Sequence, residues 1–155
     1  FILPFLLLTL LVANPVSVDF QRDMILTIDD YAIALREFRL LAEHVNACAQ
    51  NNLGVLYEKG QGVPQNDKTA VKWYRLAAEQ GHAGAQFNLG VMYGLGNGVI
   101  QDNVFAHLWF NIAASSGNKN AFNGRDFLAK QMTPSQLEKA QDLARECVAK
   151  NYKGC

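Results

Sequence analysis

Hydrophobic residues in the middle of the chain follow a helical spacing, and the complete pattern returns after 36 residues. Ala49, Leu53 and Tyr57 lie at i, i+4 and i+8, which places them on one stripe of an α-helix. The stretch 49–57 returns at 85–93 with the same apolar positions. A fixed period of this length is typical of a stacked array of repeats.

Each unit of the array is predicted to be a helical hairpin. Gly60 and Gly62 interrupt the first helix with residues that accept a positive φ. Asn66 and Asp102, one period apart, are the predicted N-caps of the second helices. The second helix carries an apolar face of small and very large side chains, which returns one period later with similar residues: Ala70, Trp73, Tyr74, Ala77 and Ala78.

Glycines also recur at the same period. Gly54 lies beside the apolar stripe and returns as Gly90. Because glycine costs roughly 1 kcal/mol inside a helix relative to alanine, its return indicates a close helix crossing without room for a Cβ atom. Gly81 and Gly117 stand where a left-handed residue would end the second helix.

These motifs resemble the Sel1-like repeat, a relative of the tetratricopeptide repeat. The chain reads A-x-x-x-L-G-x-x-Y-x-x-G-x-G-V and then A-x-x-W-[YF]-x-x-A-A-x-x-G in two full units, with weaker matches over nearly all of the chain after residue 18. The resemblance implies an all-α fold, an α-solenoid of antiparallel helix pairs. It also implies a non-catalytic scaffold that binds a protein or peptide, as in secreted or periplasmic bacterial members.

The period divides the chain into five segments. Residues 1–18 are predicted to be a signal peptide, and residues 19–48 a degenerate first repeat. Complete repeats cover residues 49–84 and 85–120, and residues 121–155 are predicted to form a capping helix pair. Since terminal repeats of a solenoid are commonly atypical, we expect about eight helices in four pairs.

Both ends of the array depart from the repeat pattern. Val45 replaces the glycine that ends the second helix in the other repeats. Because a β-branched residue is disfavoured in the left-handed region, either Asn46 takes this role or the turn differs. Thr133, Pro134 and Gln136 form a predicted capping box with proline at the first helical position, which indicates the start of the last helix.

The first 18 residues carry no charge. The apolar run from Phe1 to Ala13 is too short for an ordinary transmembrane helix, which needs about 20 residues. It fits the hydrophobic region of a signal peptide, with cleavage before Asp19 or after Ala13. The alternative is a buried helix of the first repeat. Export predicts a periplasmic or secreted chain without a stable membrane span.

Charge and composition narrow the partners of the chain. Fourteen basic and fourteen acidic residues cancel, so no global charge favours a nucleic acid or an anionic membrane. Half of the residues are hydrophobic, which is enough for a sizeable core. The charge balance therefore predicts no nucleic-acid partner, and a protein or peptide partner is what the resemblance implies.

The cysteines allow one disulfide. In an oxidising compartment Cys147 and Cys155 can pair, because the tail after the last helix can fold back. The odd count leaves at least one thiol over, and Cys48 equally fits a buried or partly exposed small residue. The sequence contains no C-x-x-C motif. We predict no metal site and no cofactor.

No set of residues matches an active site. His44, His82 and His107 are predicted to be surface or interface residues. Ser116 and Lys119 match S-x-x-K, the nucleophile motif of serine β-lactamases. The match spans a glycine that ends a helix, whereas the chemistry needs both side chains on one helical turn. No catalytic residue is therefore predicted.

The predicted binding surface is the groove that the first helices line in helix-pair solenoids, as the resemblance implies. Asn52 and Asn88 recur one period apart there, and they either bond a ligand backbone or satisfy helix ends and neighbouring repeats. Phe87 and Val91, if exposed, form an apolar patch of the kind that marks peptide sites. The predicted groove residues are Asn51, Asn52, Val55, Glu58, Phe87, Asn88, Val91 and Leu95.

Two other functions are alternatives to the scaffold. One is a hydrolase of cell-wall or β-lactam substrates, as the cysteine-rich branch of Sel1-like proteins suggests. That activity needs a nucleophile and a base inside a cleft. The other is a regulator that controls a membrane sensor from the periplasmic side.

Overall fold

The computed structural model describes residues 28–155, and this part of the chain contains seven α-helices and no strand. The predicted signal peptide and the predicted first helix of the degenerate repeat lie outside the described residues. In chain order the helices are α1 (Ile28–Glu43), α2 (Ala47–Lys59), α3 (Asp67–Ala78), α4 (Ala83–Leu95), α5 (Asn103–Ser115), α6 (Lys119–Ala129) and α7 (Pro134–Ala149).

Two complete hairpins form the centre of the molecule. Helix α2 packs most extensively against α3, and α4 packs equally extensively against α5. The hairpins stack through contacts of α1 with α2 and of α3 with α4. This alternation of contacts within and between hairpins confirms the predicted α-solenoid of antiparallel helix pairs.

The N-caps repeat with the period of the sequence. Asn66 and Asp102 cap α3 and α5 as predicted, each accepting a hydrogen bond from a backbone N–H in the first turn. Asn46, His82 and Asn118 cap α2, α4 and α6, and each accepts from the backbone N–H three residues later. Because unpaired N–H groups at a helix start need an acceptor, these caps define where each helix begins.

The predicted close crossing within each hairpin is present. A Cβ atom at Gly90 would lie 2.5 Å from Cδ1 of Phe110, and one at Gly54 would overlap the ring of Tyr74. These distances are far inside van der Waals contact, so an aromatic ring of the second helix lies directly against the backbone of the first.

The core is continuous across the central repeats, with small alanines beside large side chains. Trp109 and Leu89 are buried in it. Trp73, Tyr57 and Tyr93 belong to the predicted apolar faces but are only half-buried. Their positions are at the edge of the core, where polar atoms can still reach partners.

The half-buried tyrosines link neighbouring repeats. Arg39 donates a hydrogen bond to the hydroxyl of Tyr57 over 3.2 Å, and Arg75 donates to the hydroxyl of Tyr93 over 2.7 Å. Both members of the bond shift by one period of 36 residues. Each second helix therefore holds the first helix of the following repeat through the same polar contact.

The two C-terminal helices do not form a hairpin like those before them. Both α6 and α7 make their principal contacts with α5. The predicted capping pair therefore consists of two helices that cover different sides of α5. The predicted capping box of α7 is present, since Thr133 and Gln136 exchange side chain-to-backbone hydrogen bonds.

The turn between α1 and α2 differs from one sequence expectation. Val45 itself adopts the left-handed conformation, with φ of 61°. Asn46 is extended, with φ of −83°, and caps α2. Gly81 and Gly117 take the same left-handed conformation one and two periods later. The turn is thus preserved in shape although its glycine has been replaced by valine.

Candidate protein-binding surface

The predicted groove residues lie on α2 and α4, which together with α6 form what we call the first-helix face. Leu95 is the most accessible of them, with 65% of its surface exposed. The others are half-buried: Asn51, Asn52, Val55, Glu58, Phe87, Asn88 and Val91. The first-helix face therefore combines polar and apolar side chains, most of which expose only part of their area to solvent.

Two of the predicted asparagines bond each other across a repeat boundary. The Nδ2 atom of Asn88 donates to Oδ1 of Asn51 over 3.1 Å. This contact connects α4 to α2, so the asparagine at position 88 satisfies a neighbouring repeat. Of the two alternatives given for Asn52 and Asn88, the contact with a neighbouring repeat is therefore the one that Asn88 makes.

Glu58 is held by its own hairpin. Its carboxylate accepts a hydrogen bond from the hydroxyl of Tyr74, whose ring lies against Gly54. The carboxylate on α2 is therefore anchored to α3.

Phe87 and Val91 belong partly to the core. Both pack against the cluster around Phe110 and Ala106, and the ring centroids of Phe87 and Phe110 are 5.6 Å apart with an interplanar angle of 36°. Val55 likewise packs against the main core. The apolar patch that the sequence predicts at Phe87 and Val91 is thus only partly accessible.

One aromatic residue on α6, Phe127, extends the first-helix face and was not among the residues predicted from the sequence; Phe122 is a second exposed aromatic residue of the same helix, at the position of the buried Gln86 one period earlier. Phe127 is 65% exposed and Phe122 is 50% exposed. Phe127 lies 36 residues after Val91, which itself lies 36 residues after Val55. Continuing the period by one more unit would have identified it. The guanidinium of Arg125 lies 4.4 Å from the ring centroid of Phe122, so this second ring is engaged by a cation of its own helix.

The histidines have structural positions. His82 caps α4 through Nδ1, and His107 is buried in α5 with no hydrogen-bond partner on Nδ1 among the described residues. Burial lowers the pKa of His82 below its ordinary value. Burial also lowers the pKa of His107, and the positive charge of Arg125 adds to this, whereas Asp126 opposes it. Both imidazoles are therefore neutral near pH 7.

The S-x-x-K motif lies at the junction between α5 and α6. Ser116 is the C-cap of α5, Gly117 is left-handed with φ of 89°, and Lys119 is the first residue of α6. The two side chains are on different helices, which is not the one-turn arrangement that activates such a serine. Among residues 28–155 no group of three or more histidine, cysteine or acidic side chains is placed to hold a metal ion.

A disulfide joins Cys147 near the end of α7 to Cys155 in the tail, with Cα atoms 5.5 Å apart. Cys48 is a free, exposed thiol on α2. The tail folds back so that Tyr152 lies against Gly81, where a Cβ atom would be 3.2 Å from the tyrosine ring. The bridge therefore holds the tail against the turn that precedes α4. Within the described part of the chain, none of the helices is both long and apolar enough to cross a membrane.

The stacked hairpins and their periodic caps define the protein as an α-solenoid built from helical repeats. The Sel1 repeat family matches residues 49–82 and 83–118. The chain therefore carries two Sel1 repeats, which confirms the resemblance seen in the sequence.

Two solved bacterial structures are similar to most of the chain. One is a protective antigen present in uropathogenic Escherichia coli strains, which displays an SLR fold; it is 32% identical with a TM-score of 0.78, over 81% of this chain and 28% of that chain. The other is a Sel1 repeat protein from Oxalobacter formigenes, 33% identical with a TM-score of 0.63, over 76% of this chain and 49% of that chain. The chain thus spans less than half of either. No curated protein gives a significant match.

Proposed function

We propose that this chain binds a protein or peptide partner through the first-helix face. Sel1 repeat proteins are generally scaffolds for protein interactions. The observation that supports the proposal most directly is the line of apolar residues at equivalent repeat positions on α2, α4 and α6, which ends in the exposed ring of Phe127. Large apolar side chains that share one exposed face are typical of binding surfaces.

The apolar residues of this face differ in how much of each side chain a partner can contact. Val55 and Val91 are partly engaged by the core, so they supply the floor of the surface. Leu95 and Phe127 each have 65% of their area in solvent. Aromatic anchors carry a large share of the binding energy of many interfaces. Phe127 is therefore the residue on which partner binding should depend most.

The alternatives have less support. A hydrolase needs a nucleophile beside a base, and Ser116 and Lys119 are separated by a helix boundary. A regulator of a membrane sensor would be a particular case of the scaffold, in which the bound partner is a sensor domain. We therefore include in the proposal that the chain is not catalytic and that its partner is a protein or peptide.

We also propose that the chain is exported to the periplasm or secreted. The uncharged apolar stretch at residues 1–18 and the Cys147–Cys155 disulfide support this, because disulfides persist in oxidising compartments. Mass spectrometry of the mature protein should find a chain that begins at Asp19. A full-length product confined to the cytoplasm would refute the proposal.

Binding can be tested with selected peptides before the natural partner is identified. Peptides selected from a random display library against the folded chain should bind through the first-helix face. For the tightest peptide, Phe127→Ala should weaken binding by about 1–3 kcal/mol, the range of an aromatic anchor. Isothermal titration calorimetry measures this change.

The matched control is Ile100→Ala, which removes an apolar side chain that is 89% exposed in the loop before α5 and belongs to none of the first helices. It should leave the dissociation constant unchanged. If Phe127→Ala has no more effect than Ile100→Ala, or if no peptide is selected, the first-helix face is not the binding surface.

A further inference from the structure

A second surface lies on the solvent side of α3, away from the first-helix face. An open groove of about 640 Å³ runs along this helix and is bordered by the Gly98 turn of the next repeat. We call it the outer groove of α3. Leu76 lies in it with 46% of its surface exposed. Its helical lining residues are Lys68, Val71, Lys72, Arg75, Leu76 and Glu79.

The chemistry of this groove repeats on α1. Positions that differ by 36 residues carry the same residue types on α1 and α3: a basic residue, an arginine, a leucine and a glutamate. Leu40, the leucine on α1, is also half-exposed, at 49%. The equivalent pairs are Arg36 and Lys72, Arg39 and Arg75, Leu40 and Leu76, and Glu43 and Glu79.

The same positions on α5 have lost their charges. Two periods after α1 and one after α3, they hold Leu108, Asn111, Ile112 and Ser115. Helix α7 covers this side of α5, so that Ile112 is only 2% exposed. These positions are therefore neutral on α5, where α7 covers Leu108 and Ile112, and they are largely basic and open on α1 and α3, where no helix of residues 28–155 covers this side.

Helix α7 shows how a helix fits on this face. Its Ala140, Ala144 and Cys147 are buried, so small side chains allow a close approach. On one edge Arg145 lies beside Asn111 and Ser115 of α5.

On the other edge of α7, Glu146 lies beside Leu108. A helix placed in the same way on α3 would present one edge to Lys72, which replaces Leu108, and the other edge to Arg75 and Glu79, which replace Asn111 and Ser115. Because the groove carries three basic side chains, Lys68, Lys72 and Arg75, and one acidic side chain, favourable pairing requires a partner helix with acidic edges.

We propose that the outer groove of α3 binds an amphipathic helix of a protein partner, with small or apolar residues on its buried face and acidic residues along both edges. Within residues 28–155, neither Lys68 nor Lys72 forms an ion pair. Their charge is therefore available to an acidic partner, while Val71 and Leu76 supply the apolar floor for a helix-in-groove contact. This site is independent of the first-helix face.

The probe is a labelled peptide with the sequence of α7, altered by Cys147→Ala, Lys139→Glu and Arg145→Glu. The probe keeps the face by which α7 packs on the equivalent side of α5, and the two substitutions to glutamate make its edges acidic. The control probe carries Cys147→Ala alone. Fluorescence anisotropy with the full, disulfide-bonded chain should show that the acidic probe binds more tightly. Its binding should also weaken as salt is added, because charge pairs at an interface edge are screened.

The groove variant is Lys68→Glu/Lys72→Glu, which leaves Arg75 and its bond to Tyr93 in place. Affinity for the acidic probe should fall by about tenfold or more, as expected when attraction at an interface becomes repulsion. The matched control, Lys59→Glu/Lys130→Glu, makes the same charge change at exposed positions on and beside the first helices and should bind as the wild type does. Circular dichroism should confirm that both variants keep the wild-type melting temperature.

Phe127→Ala should leave acidic-probe binding intact, which separates this site from the first-helix face. The proposal is overturned if the acidic probe does not bind, if it binds the groove variant and the control variant equally, or if Phe127→Ala abolishes it. It is also overturned if anionic vesicles or a duplex oligonucleotide of equal charge displace the probe at lower concentrations than unlabelled peptide does.

Discussion

Val45 is a residue whose backbone conformation conflicts with its side chain. Its φ of 61° lies in the left-handed region, where Gly81 and Gly117 stand in the equivalent turns. A Cβ atom costs roughly 1–2 kcal/mol in this conformation, and branching at Cβ adds to the strain. The side chain is 65% exposed, so it gains little from packing in return.

Val45→Gly should therefore stabilise the chain, by roughly 0.5–1 kcal/mol, after allowing for the greater flexibility of glycine in the unfolded state. Urea denaturation measures the change. As a control, Val148→Gly in the last turn of α7 should lower the stability, because glycine is a poor helix former. A lower stability for Val45→Gly would show that the valine is not strained.

Gly90 is required by the ring that lies against it. Because its Cβ would be 2.5 Å from Phe110, Gly90→Ala should destabilise the chain by about 1–3 kcal/mol, as overpacking of a core does. In the same helix, a Cβ at Gly94 would meet only Ala106, at 3.7 Å. Gly94→Ala should be neutral or stabilising by up to about 1 kcal/mol. Equal effects of the two changes in thermal denaturation would contradict the close crossing.

His82 makes stability depend on pH. Burial lowers its folded-state pKa below the unfolded value of 6.5, so the unfolded chain binds more protons as the pH falls through this range. The stability that the neutral imidazole of His82 contributes is complete above about pH 6.5 and is lost as the pH falls towards the folded-state pKa. Protonation at Nδ1 also removes the acceptor for the N–H of Ala85. His107 acts in the same direction, because its pKa is lowered too.

His82→Asn should reduce this pH dependence without losing the cap, because Asn46 and Asn118 cap their helices in the same way. The melting temperature of the variant should fall less than that of the wild type between about pH 7.5 and pH 5.5. His82→Ala should lose about 1 kcal/mol at both values, since it removes the cap. Identical pH profiles for the wild type and His82→Asn would exclude the role of this imidazole.

At the scale of elements, α5 is the helix on which the C-terminal half depends. It contacts α4, α6 and α7, and its Trp109, Leu108 and Ile112 are buried. Helices α6 and α7 follow each other in the chain but pack on different sides of this one helix. The Cys147–Cys155 bridge then ties the tail beside α7 to the molecule.

Cys155→Ser should lower the stability of this region. Closing a loop of this length is worth roughly 2–3 kcal/mol in the chain-entropy model, and the loss should appear as faster hydrogen exchange in α7 and the tail. Cys48→Ser, which alters a free and exposed thiol, should change neither. Wild-type exchange rates in the Cys155→Ser chain would show that the bridge does not hold the tail.

At the scale of the whole molecule, stability is passed from one hairpin to the next. Each hairpin touches its neighbours through similar contacts, including the bonds of Arg39 to Tyr57 and of Arg75 to Tyr93. The energy of such an array is approximately a sum of repeat terms and neighbour terms. A defect should therefore weaken its own repeat and the adjacent ones more than distant helices.

Trp109→Ala tests this expectation. Trp109 is 1% exposed, so its truncation should cost about 3–5 kcal/mol. Hydrogen exchange should increase most in α4, α5 and α7 and least in α1, which lies two hairpins away. Trp73→Ala, at a half-buried position, should cost less. A uniform rise in exchange over all helices would indicate a single cooperative unit instead.

Much of the fold was predictable because repeat positions have local causes. The caps Asn66 and Asp102 act within one helical turn, and Gly54 and Gly90 mark contacts that recur at a fixed distance along the chain. Phe127 was equally predictable, but only by extending the period beyond Gly117. The conformation of Val45 was not, because its turn is imposed by the helices on either side against the preference of the residue.

The sequence by itself determined the class of structure, the caps Asn66 and Asp102 and most of the apolar positions that face the core, because period, capping and glycine spacing are local properties. Only the tertiary structure decided how accessible each of these positions is. It showed Phe87 against Phe110, Asn88 bonded to Asn51, and α7 on the outer side of α5. The physical reason is that exposure depends on which other helix covers a face, and residues far apart in the chain make that contact.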